Sequence, residues 1–540
     1  MNEKTFFQWR GWEWIFLVLV AYTLANLPAW AGEPAVFGEK CWKVGLAKVK
    51  ITPEKPIWLA GYAARTKPAE GTLDELWVKV CVLEAADGRR AVLVTSDLLG
   101  FPREMAERIA VAAKQQFQIH RADLMLTCSH THSGPVLKNA LWEIYPLNDQ
   151  QKELITEYTA VLEKKIIDCI GQALRSMEPA RLEAGEGQCY FAVNRRNNKE
   201  GEVEKLRAAG LPLQGPTDPT VFVLAVRKFH SCAFKPAESG GRNSLDAGSV
   251  FWDRSGNGKA STSPRAVSYQ LADSEKYPLS GAGPKASNQP AASDSLRAVI
   301  FGYACHTTTL NDYLWSGDYA GFAQAALEEK YLGVQAMFYI GCGADQNPIP
   351  RRKAELAKQY GRQLANAVAE VLSKPMRQIE PSLATVWLEI PLAWEQPTEA
   401  HLKTLANRQD YQGRWARRLL AERTEGKSWP TAYPAYPVQV WRLGQQLWIA
   451  LGGEVVVDYQ IRLRQIYGPT TWVVGYANDV MAYIPSHRVW QEGGYEAGAF
   501  SVYGHPAVRW AESIETDILQ AVDQAVQTVG GKAQTAFQKR

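Results

Sequence analysis

Three polar side chains with metal-binding chemistry each follow an apolar segment at the point where that segment ends. The apolar runs lie at 122–127, 296–305 and 446–451, and the side chains are, in the same order, His130, His306 and Glu454. Two imidazoles and a carboxylate are ligands that a catalytic zinc ion uses when one coordination position stays open. Alone, each could be a hydrogen-bonded loop residue or, for Glu454, a helix cap. Their shared placement at strand ends favours a metal site.

A further candidate, His132, lies two positions after His130 in the string Ser-His-Thr-His-Ser-Gly-Pro. Side chains of an extended segment alternate between its two faces, so residues two apart project to the same side. If the strand geometry continues that far, one metal ion or one substrate can contact both imidazoles. A His-x-His pair by itself is equally compatible with two polar residues in a surface turn.

The elements that must position these side chains alternate between strands and helices. Strands are predicted at 42–51, 76–84 and 90–96, and amphipathic helices at 102–117, 153–176, 353–372 and 508–529. This alternation predicts the α/β class, a mixed layered α/β domain. Loops beyond the strand ends of α/β sheets gather at one edge, so the metal site is expected at the strand ends.

The first 31 residues have the order of a secretory signal peptide. Lys4 and Arg10 precede an uncharged apolar run at 14–25, and small residues follow up to Ala31. The run is shorter than the roughly 20 residues that a membrane span needs. We therefore predict a secreted or periplasmic protein after signal peptide cleavage, with an uncleaved N-terminal membrane tether as the alternative.

The rest of the chain is predicted to be one catalytic domain over residues 32–530. Its segment at about 239–295 is rich in Ser, Gly, Ala and Asn with few large aliphatic residues, which predicts a flexible low-complexity insertion. Lys and Arg total 60 against 56 Asp and Glu, a formal net charge of +4. So slight a positive charge gives no support for a nucleic-acid partner.

A series of short motifs extends along the chain: Gly-Tyr-Ala at 61–63, Thr-Ser-Asp-Leu-Leu-Gly at 95–100, Ser-His-Thr-His-Ser-Gly-Pro at 129–135, Asn-Arg at 194–195, Ala-Cys-His at 304–306, Gly-Glu at 453–454 and Ala-Tyr-Ile at 482–484. In this order they resemble the motifs of the neutral/alkaline non-lysosomal ceramidase family, over most of the chain up to about residue 506. The resemblance implies the fold of that family's N-terminal catalytic domain, zinc as the cofactor and an N-acyl lipid as the substrate.

The resemblance also implies roles for individual residues. In that family one zinc is held by two His, a Glu and a Tyr, which correspond here to His130, His306, Glu454 and Tyr483. A second group surrounds the substrate amide and corresponds to His132, Arg195 and Tyr495.

The chain departs from the family at two places. Asn347, in Ala-Asp-Gln-Asn-Pro at 344–348, stands where the family has its active-site Ser. Because Asn cannot be an acylated nucleophile, we predict that Asn347 binds substrate through hydrogen bonds. The family resemblance implies a C-terminal immunoglobulin-like domain, and we predict that it is missing here, because the sequence ends at Arg540.

Together these features predict a zinc-dependent hydrolase that cleaves an N-acyl amide through a metal-activated water, as a ceramidase cleaves N-acylsphingosine into fatty acid and sphingosine. Zinc lowers the pKa of bound water to about 7. Arg195 or Tyr495 would stabilise the oxyanion, and His132 would carry the proton to the leaving amine. The expected partners are an N-acyl lipid or another small amide, with peripheral membrane contact. Two alternatives stay open: a metallo-hydrolase of the same fold acting on a smaller amide or ester, and a non-catalytic metal-binding or lipid-binding homologue.

Overall fold

The computed structural model describes residues 41–229 and 295–534. The predicted signal peptide lies outside these ranges, as does the predicted insertion apart from its last residue, and both stay predictions. Within the described ranges, no helix combines the length and the apolar character that crossing a membrane requires.

Strands supply most of the framework. They are β1 Trp42–Lys50, β2 Gly71–Thr72, β3 Trp77–Glu84, β4 Arg90–Ser96, β5 Leu124–Cys128, β6 Glu178–Gln188, β7 Ala192–Asn194, β8 Thr220–Lys228, β9 Leu296–Tyr303, β10 Leu314–Trp315, β11 Gln335–Ile340, β12 Gln346–Pro348, β13 Arg377–Ile379, β14 Leu383–Glu395, β15 Ala432–Leu443, β16 Gln446–Leu451, β17 Glu454–Val455, β18 Trp472–Val474, β19 Tyr483–Ile484 and β20 Arg509–Trp510.

The helices cover the sheets, and several of them lie in the connections between strands. They are α1 Arg103–Phe117, α2 Asp149–Arg175, α3 Glu200–Ala208, α4 Asp318–Lys330, α5 Ala354–Leu372, α6 Glu399–Ala406, α7 Tyr411–Thr424, α8 Val457–Tyr467, α9 His487–Glu492, α10 Tyr495–Gly498, α11 Phe500–Tyr503 and α12 Ile514–Thr528.

The largest sheet has the strand order β11-β9-β8-β6-β1-β3-β4-β5, with β13 added beside β6. Most neighbours are antiparallel, but β4 with β5 and β9 with β11 are parallel. Strands β8, β9 and β11 are buried on both faces, so their sequences are almost wholly apolar. In β8, Val221 and Val223 face a core shared with the helices, whereas Phe222 and Leu224 face a second core.

The large sheet curls so that β11, at one end of the order, returns toward β3. Gln335 Nε2 of β11 donates to the carbonyl of Val80 at 3.2 Å, and Lys79 Nζ of β3 donates to the carbonyl of Ala336 at 2.7 Å. The buried Lys79 ammonium is also paired with Glu328 of α4 at 2.7 Å. The curl explains how the ends of β5 and β9, far apart in strand order, come close in space.

A second sheet, with the order β18-β16-β15-β14-β20, stacks on the large one. The ring of Trp472 lies 5.7 Å from Phe222, and that of Trp448 lies 5.7 Å from Tyr339, centroid to centroid. Helix α12 covers the opposite face of the second sheet, with Ile518 in the core that it shares with the helices. The predicted mixed layered α/β fold is confirmed.

Two predicted helices begin at different residues in the structure. The helix predicted from 153 begins at Asp149, because the side chain of Asn148 accepts the backbone N–H of Gln151 at 2.8 Å and caps the first turn. The helix predicted from 508 begins only at Ile514. Residues Arg509–Trp510 instead pair with the end of β14, which draws them into the second sheet.

Candidate metal centre and active site

The two histidines at strand ends meet in space although 176 residues separate them. The Nε2 atoms of His130 and His306 lie 3.1 Å apart. Glu454 Oε2 lies 3.3 Å from each of these nitrogens. All three side chains are buried, so two imidazoles and a carboxylate converge on one point inside the protein.

The spacing of these atoms matches tetrahedral zinc coordination. Bonds of about 2.0–2.1 Å place neighbouring ligand atoms of a tetrahedron about 3.3–3.4 Å apart, close to the separations found here. Glu454 Oε2 is buried and accepts no hydrogen bond from the described residues, a costly state for a carboxylate without a cation. The ring nitrogens of His130, His132 and His306 lie within 4.8 Å of one another, so this site can hold a metal.

The outer nitrogens of both imidazoles face backbone carbonyls. Nδ1 of His130 lies 2.5 Å from the carbonyl oxygen of Leu99, and Nδ1 of His306 lies 3.1 Å from that of Gly343. A carbonyl can only accept, so each Nδ1 carries the proton and donates. Each Nε2 lone pair is then left free to face the centre, as in metal-binding histidines.

The backbone at His130 differs from the extended geometry that the sequence suggested. Strand β5 ends at Cys128, and His130 has φ +56°, in the left-handed region that few residues other than Gly adopt, although Asn, Asp and His do so more often than the rest. Nonetheless, Nε2 of His132 lies 3.3 Å from Nε2 of His130. The two imidazoles therefore converge through a turn and not through strand alternation.

Glu454 and Tyr483 are register partners on the parallel strands β17 and β19, which places both residues at the same level of the site. Burial disfavours ionisation of Glu454, but His130 and His306, when cationic, outweigh burial and hold the pKa of this carboxyl well below its usual range. The hydroxyl of Tyr503 donates to Glu454 Oε1. One carboxylate oxygen is thus fixed by a phenol while the other faces the imidazoles.

The antiparallel pair β7 and β12 brings Arg195 and Asn347 to the same site. Arg195 Nη1 donates to Asn347 Oδ1 at 3.4 Å, and Arg195 Nη2 donates to the hydroxyl of Tyr483 at 3.3 Å. The ring of Tyr495 lies 5.2 Å from that of Tyr483 and is 51% exposed, so it stands at the opening of the site. The eight residues singled out in the sequence are therefore connected to one another through direct contacts and strand register.

Asp345 joins the two halves of this arrangement. Its Oδ1 accepts the backbone N–H of Val457, at the start of α8 just after Glu454, at 2.9 Å. Its Oδ2 accepts from the side chain of Asn194, the residue before Arg195, at 3.1 Å. Burial raises the pKa of this carboxyl to about 6. The segment that carries Glu454 and the segment that carries Arg195 are therefore joined through one buried side chain.

Both His132 and His306 are held neutral. Burial lowers the pKa of His306 to about 4, and burial together with His130 holds the pKa of His132 well below its usual value. Nδ1 of His132 is buried and has no hydrogen-bond partner among the described residues. A neutral imidazole with a free nitrogen can bind a metal or accept a proton.

Several residues of the site were not predicted from the sequence. Tyr503 contacts Glu454, Glu496 pairs with Arg195 at 2.8 Å, and Thr308 Oγ1 donates to Asn347 Oδ1 at 3.4 Å. These residues lie in loops or short helices, and no local pattern distinguishes them. Tyr476 is different: its ring lies 4.3 Å from that of His130, and it follows the last residue of β18 by two positions, so the strand-end signal could have found it.

Comparison with known proteins shows which family this chain resembles in sequence and fold. Residues 42–225 match the profile described as neutral/alkaline non-lysosomal ceramidase, N-terminal. A neutral ceramidase from Pseudomonas aeruginosa is 28% identical over 170 residues, which are 30% of this chain and 25% of that protein. The match therefore spans about a quarter of the length of this curated relative.

The fold extends this likeness to nearly the whole chain. The crystal structure of neutral ceramidase from Pseudomonas aeruginosa superposes with a TM-score of 0.62 at 17% identity, covering 93% of this chain and 77% of that one. A structure of a ceramidase complexed with C2 gives a TM-score of 0.61 with the same identity and coverage. The resemblance to the neutral/alkaline non-lysosomal ceramidase family is confirmed.

Proposed function

We propose that this protein is a zinc-dependent hydrolase that cleaves the amide bond of an N-acyl lipid, as a ceramidase cleaves N-acylsphingosine into fatty acid and sphingosine. The observation that carries the proposal is the convergence of His130 Nε2, His306 Nε2 and the unpaired Oε2 of Glu454 near the partly buried guanidinium of Arg195. Likeness to the ceramidase family in sequence and fold supports the substrate class.

The metal would be held by His130, His306 and Glu454, with Tyr483 as the fourth residue that the family resemblance implies. His132 offers an alternative nitrogen at the same centre. Zinc bound there would lower the pKa of a coordinated water to about 7 and polarise the amide carbonyl.

Arg195 supplies positive charge on the substrate side of this centre. Burial opposes its charge, but Tyr483 and Glu496 outweigh burial and hold the pKa of the guanidinium well above its usual value. Its Nη1 and Nη2 atoms point toward Asn347 and Tyr483. Preorganised donors of this kind stabilise the negative charge that develops on a carbonyl oxygen during amide cleavage.

His132 and Asn347 complete the proposed roles. His132 is neutral and has a free nitrogen, so it can accept a proton and pass it to the leaving amine. Asn347 orients the substrate by hydrogen bonds and forms no covalent intermediate. Tyr495, half-exposed at the opening, presents an aromatic face to the entering lipid.

The test is fatty-acid release from N-acylsphingosine by purified, zinc-loaded protein, compared with Glu454→Gln. The matched control is Glu84→Gln, which removes a buried carboxylate at the end of β3, away from the site. This carboxylate is paired with Lys43 and Arg90. We expect release by the wild type and the control, and loss of both zinc and release in Glu454→Gln. The zinc content of each purified protein is measured by inductively coupled plasma mass spectrometry.

Other results would redirect the proposal. Hydrolysis of a short N-acetyl amide or an aryl ester without release from N-acylsphingosine would identify a metallo-hydrolase of smaller substrates. One bound zinc with no turnover of any of these substrates would identify a non-catalytic homologue. Full release by protein stripped of metal would overturn the mechanism itself.

A further inference from the structure

Glu496 lies between two arginines at the edge of the site. Its Oε1 accepts from Nε of Arg195 at 2.8 Å, and its Oε2 accepts from Nη1 of Arg196 at 2.5 Å. The Glu496 side chain is only 5% exposed, and burial raises the pKa of its carboxyl, but Arg195 outweighs burial and the pKa is lowered. Glu496 is therefore a buried carboxylate that bridges two adjacent cations.

The bond from Glu496 occupies one edge of the Arg195 guanidinium and leaves the other edge for the site. A guanidinium is planar and rigid, so fixing its Nε edge also fixes the direction of its two Nη atoms. Those atoms contact Asn347 Oδ1 at 3.4 Å and the Tyr483 hydroxyl at 3.3 Å. Both contacts are long, so they do not by themselves determine the orientation of the guanidinium.

Arg196 is in turn held by other groups. Its Nη2 donates to Glu492 at 2.9 Å and to the carbonyl of Gly493 at 2.9 Å. Glu492 also pairs with Arg488 at 2.9 Å. Ion pairs and hydrogen bonds thus join the turn after β7 to the segment of α9 and α10, which also carries Tyr495. Within this network, Glu496 is the residue that contacts Arg195.

We propose that Glu496 is the positioning residue for Arg195: its carboxylate holds the guanidinium so that both Nη atoms face the substrate amide. The inference rests on the proposed function, because it assigns Glu496 a part in the same reaction. Glu496 itself acts only through Arg195. Glu492 belongs to the same ion network, but of the two arginines Arg195 and Arg196 it contacts only Arg196. It therefore serves as the matched control.

The kinetic test is a double-mutant cycle on zinc-loaded protein with N-acylsphingosine. We expect Glu496→Ala to lower kcat about 10- to 100-fold, the range for residues that orient functional groups, with KM unchanged. Glu496→Gln keeps an acceptor for Nε and should recover part of this loss. Glu492→Gln should keep the wild-type kcat.

The cycle separates positioning from a general loss of structure. In an Arg195→Ala background, Glu496→Ala should cause no further fall in kcat, because the group through which it acts is gone. Independent, multiplicative losses would overturn the inference. So would an equal fall in Glu492→Gln.

If the wild type releases no fatty acid, that result contradicts the proposed function but not the positioning role of Glu496. A structural measurement then still tests the positioning role. Crystal structures of the wild type, Glu496→Ala and Glu492→Gln are compared at Arg195. We expect the contacts from Arg195 to Tyr483 and Asn347 to be lost in Glu496→Ala and kept in the other two. An unmoved guanidinium in Glu496→Ala would overturn the positioning role.

Discussion

The imidazole of His132 lies directly against the α-carbon of Gly61. A Cβ on Gly61 would stand 2.3 Å from Nδ1 of His132, and Gly61 has φ +94°. The same loop holds His132 in two further ways: the ring of Tyr62 lies 4.6 Å from the imidazole, and Arg65 Nη1 donates to the His132 carbonyl at 2.8 Å. The close approach requires a residue without a side chain at position 61.

We therefore predict that Gly61→Ala displaces His132. Gly88→Ala is the matched control, because Gly88 also has a positive φ, +84°, but nothing lies within 4 Å of its added Cβ. Both variants should lose about 1–2 kcal/mol of unfolding free energy from the left-handed backbone, measured by urea denaturation. Only Gly61→Ala should also lower kcat/KM, by more than about tenfold for a displaced general acid–base. Equal activity in the two variants would contradict this role for the contact.

Tyr503→Phe should weaken zinc binding without removing it. The Tyr503 hydroxyl donates to Oε1 of Glu454, and loss of such a partner of a ligating carboxylate lowers metal affinity about 10- to 100-fold. Affinity is measured by competition with a fluorescent chelator. Tyr467→Phe removes a hydroxyl bonded to Asp523 at 3.1 Å, away from the site, and should bind zinc like the wild type. The prediction fails if both variants bind zinc equally.

Asn347→Ala should reduce activity but not abolish it. Asn347 Oδ1 accepts from Arg195 and from Thr308, each at 3.4 Å, so its loss removes orientation and not a nucleophile. A net hydrogen bond of about 1–1.5 kcal/mol corresponds to a fall in kcat/KM of about tenfold. Zinc content should be unchanged. Complete loss of turnover with zinc retained would instead assign Asn347 a direct chemical role.

Stability should fall with acid partly because of His505. Burial lowers the pKa of His505 to about 4, and its Nε2 donates to the carbonyl of Met481 at 3.0 Å. The pKa in the unfolded chain is about 6.5, so between these values the unfolded state binds the extra proton. The contribution of His505 to the free energy of unfolding is therefore present above about pH 6.5 and is lost as the pH falls toward 4.

Urea denaturation at pH 7.5 and 5.0 tests this dependence. Linkage gives a loss of at most about 2 kcal/mol from His505 between these pH values. His505→Asn should remove that part of the loss, whereas His120→Asn, which removes an exposed imidazole, should keep the wild-type difference. An unchanged pH dependence in His505→Asn would contradict the prediction.

Much of the local structure followed from the sequence. The apolar runs before His130, His306 and Glu454 form β5, β9 and β16, and the strands predicted at 76–84 and 90–96 form β3 and β4. These features depend on side-chain periodicity and turn chemistry over a few residues, which the sequence contains directly. The mixed α/β class follows from the same patterns.

The geometry of the site depended on the tertiary structure. His130 and His306 meet because the large sheet curls until β11 approaches β3. The curl depends on contacts between residues that are far apart in the chain. The partners Tyr503 and Glu496 lie in short helices without a motif, and only packing brings them to Glu454 and Arg195. Sequence alone determined which side chains end the strands. Their distances, and the charges that surround them, arose from long-range packing that no local pattern encodes.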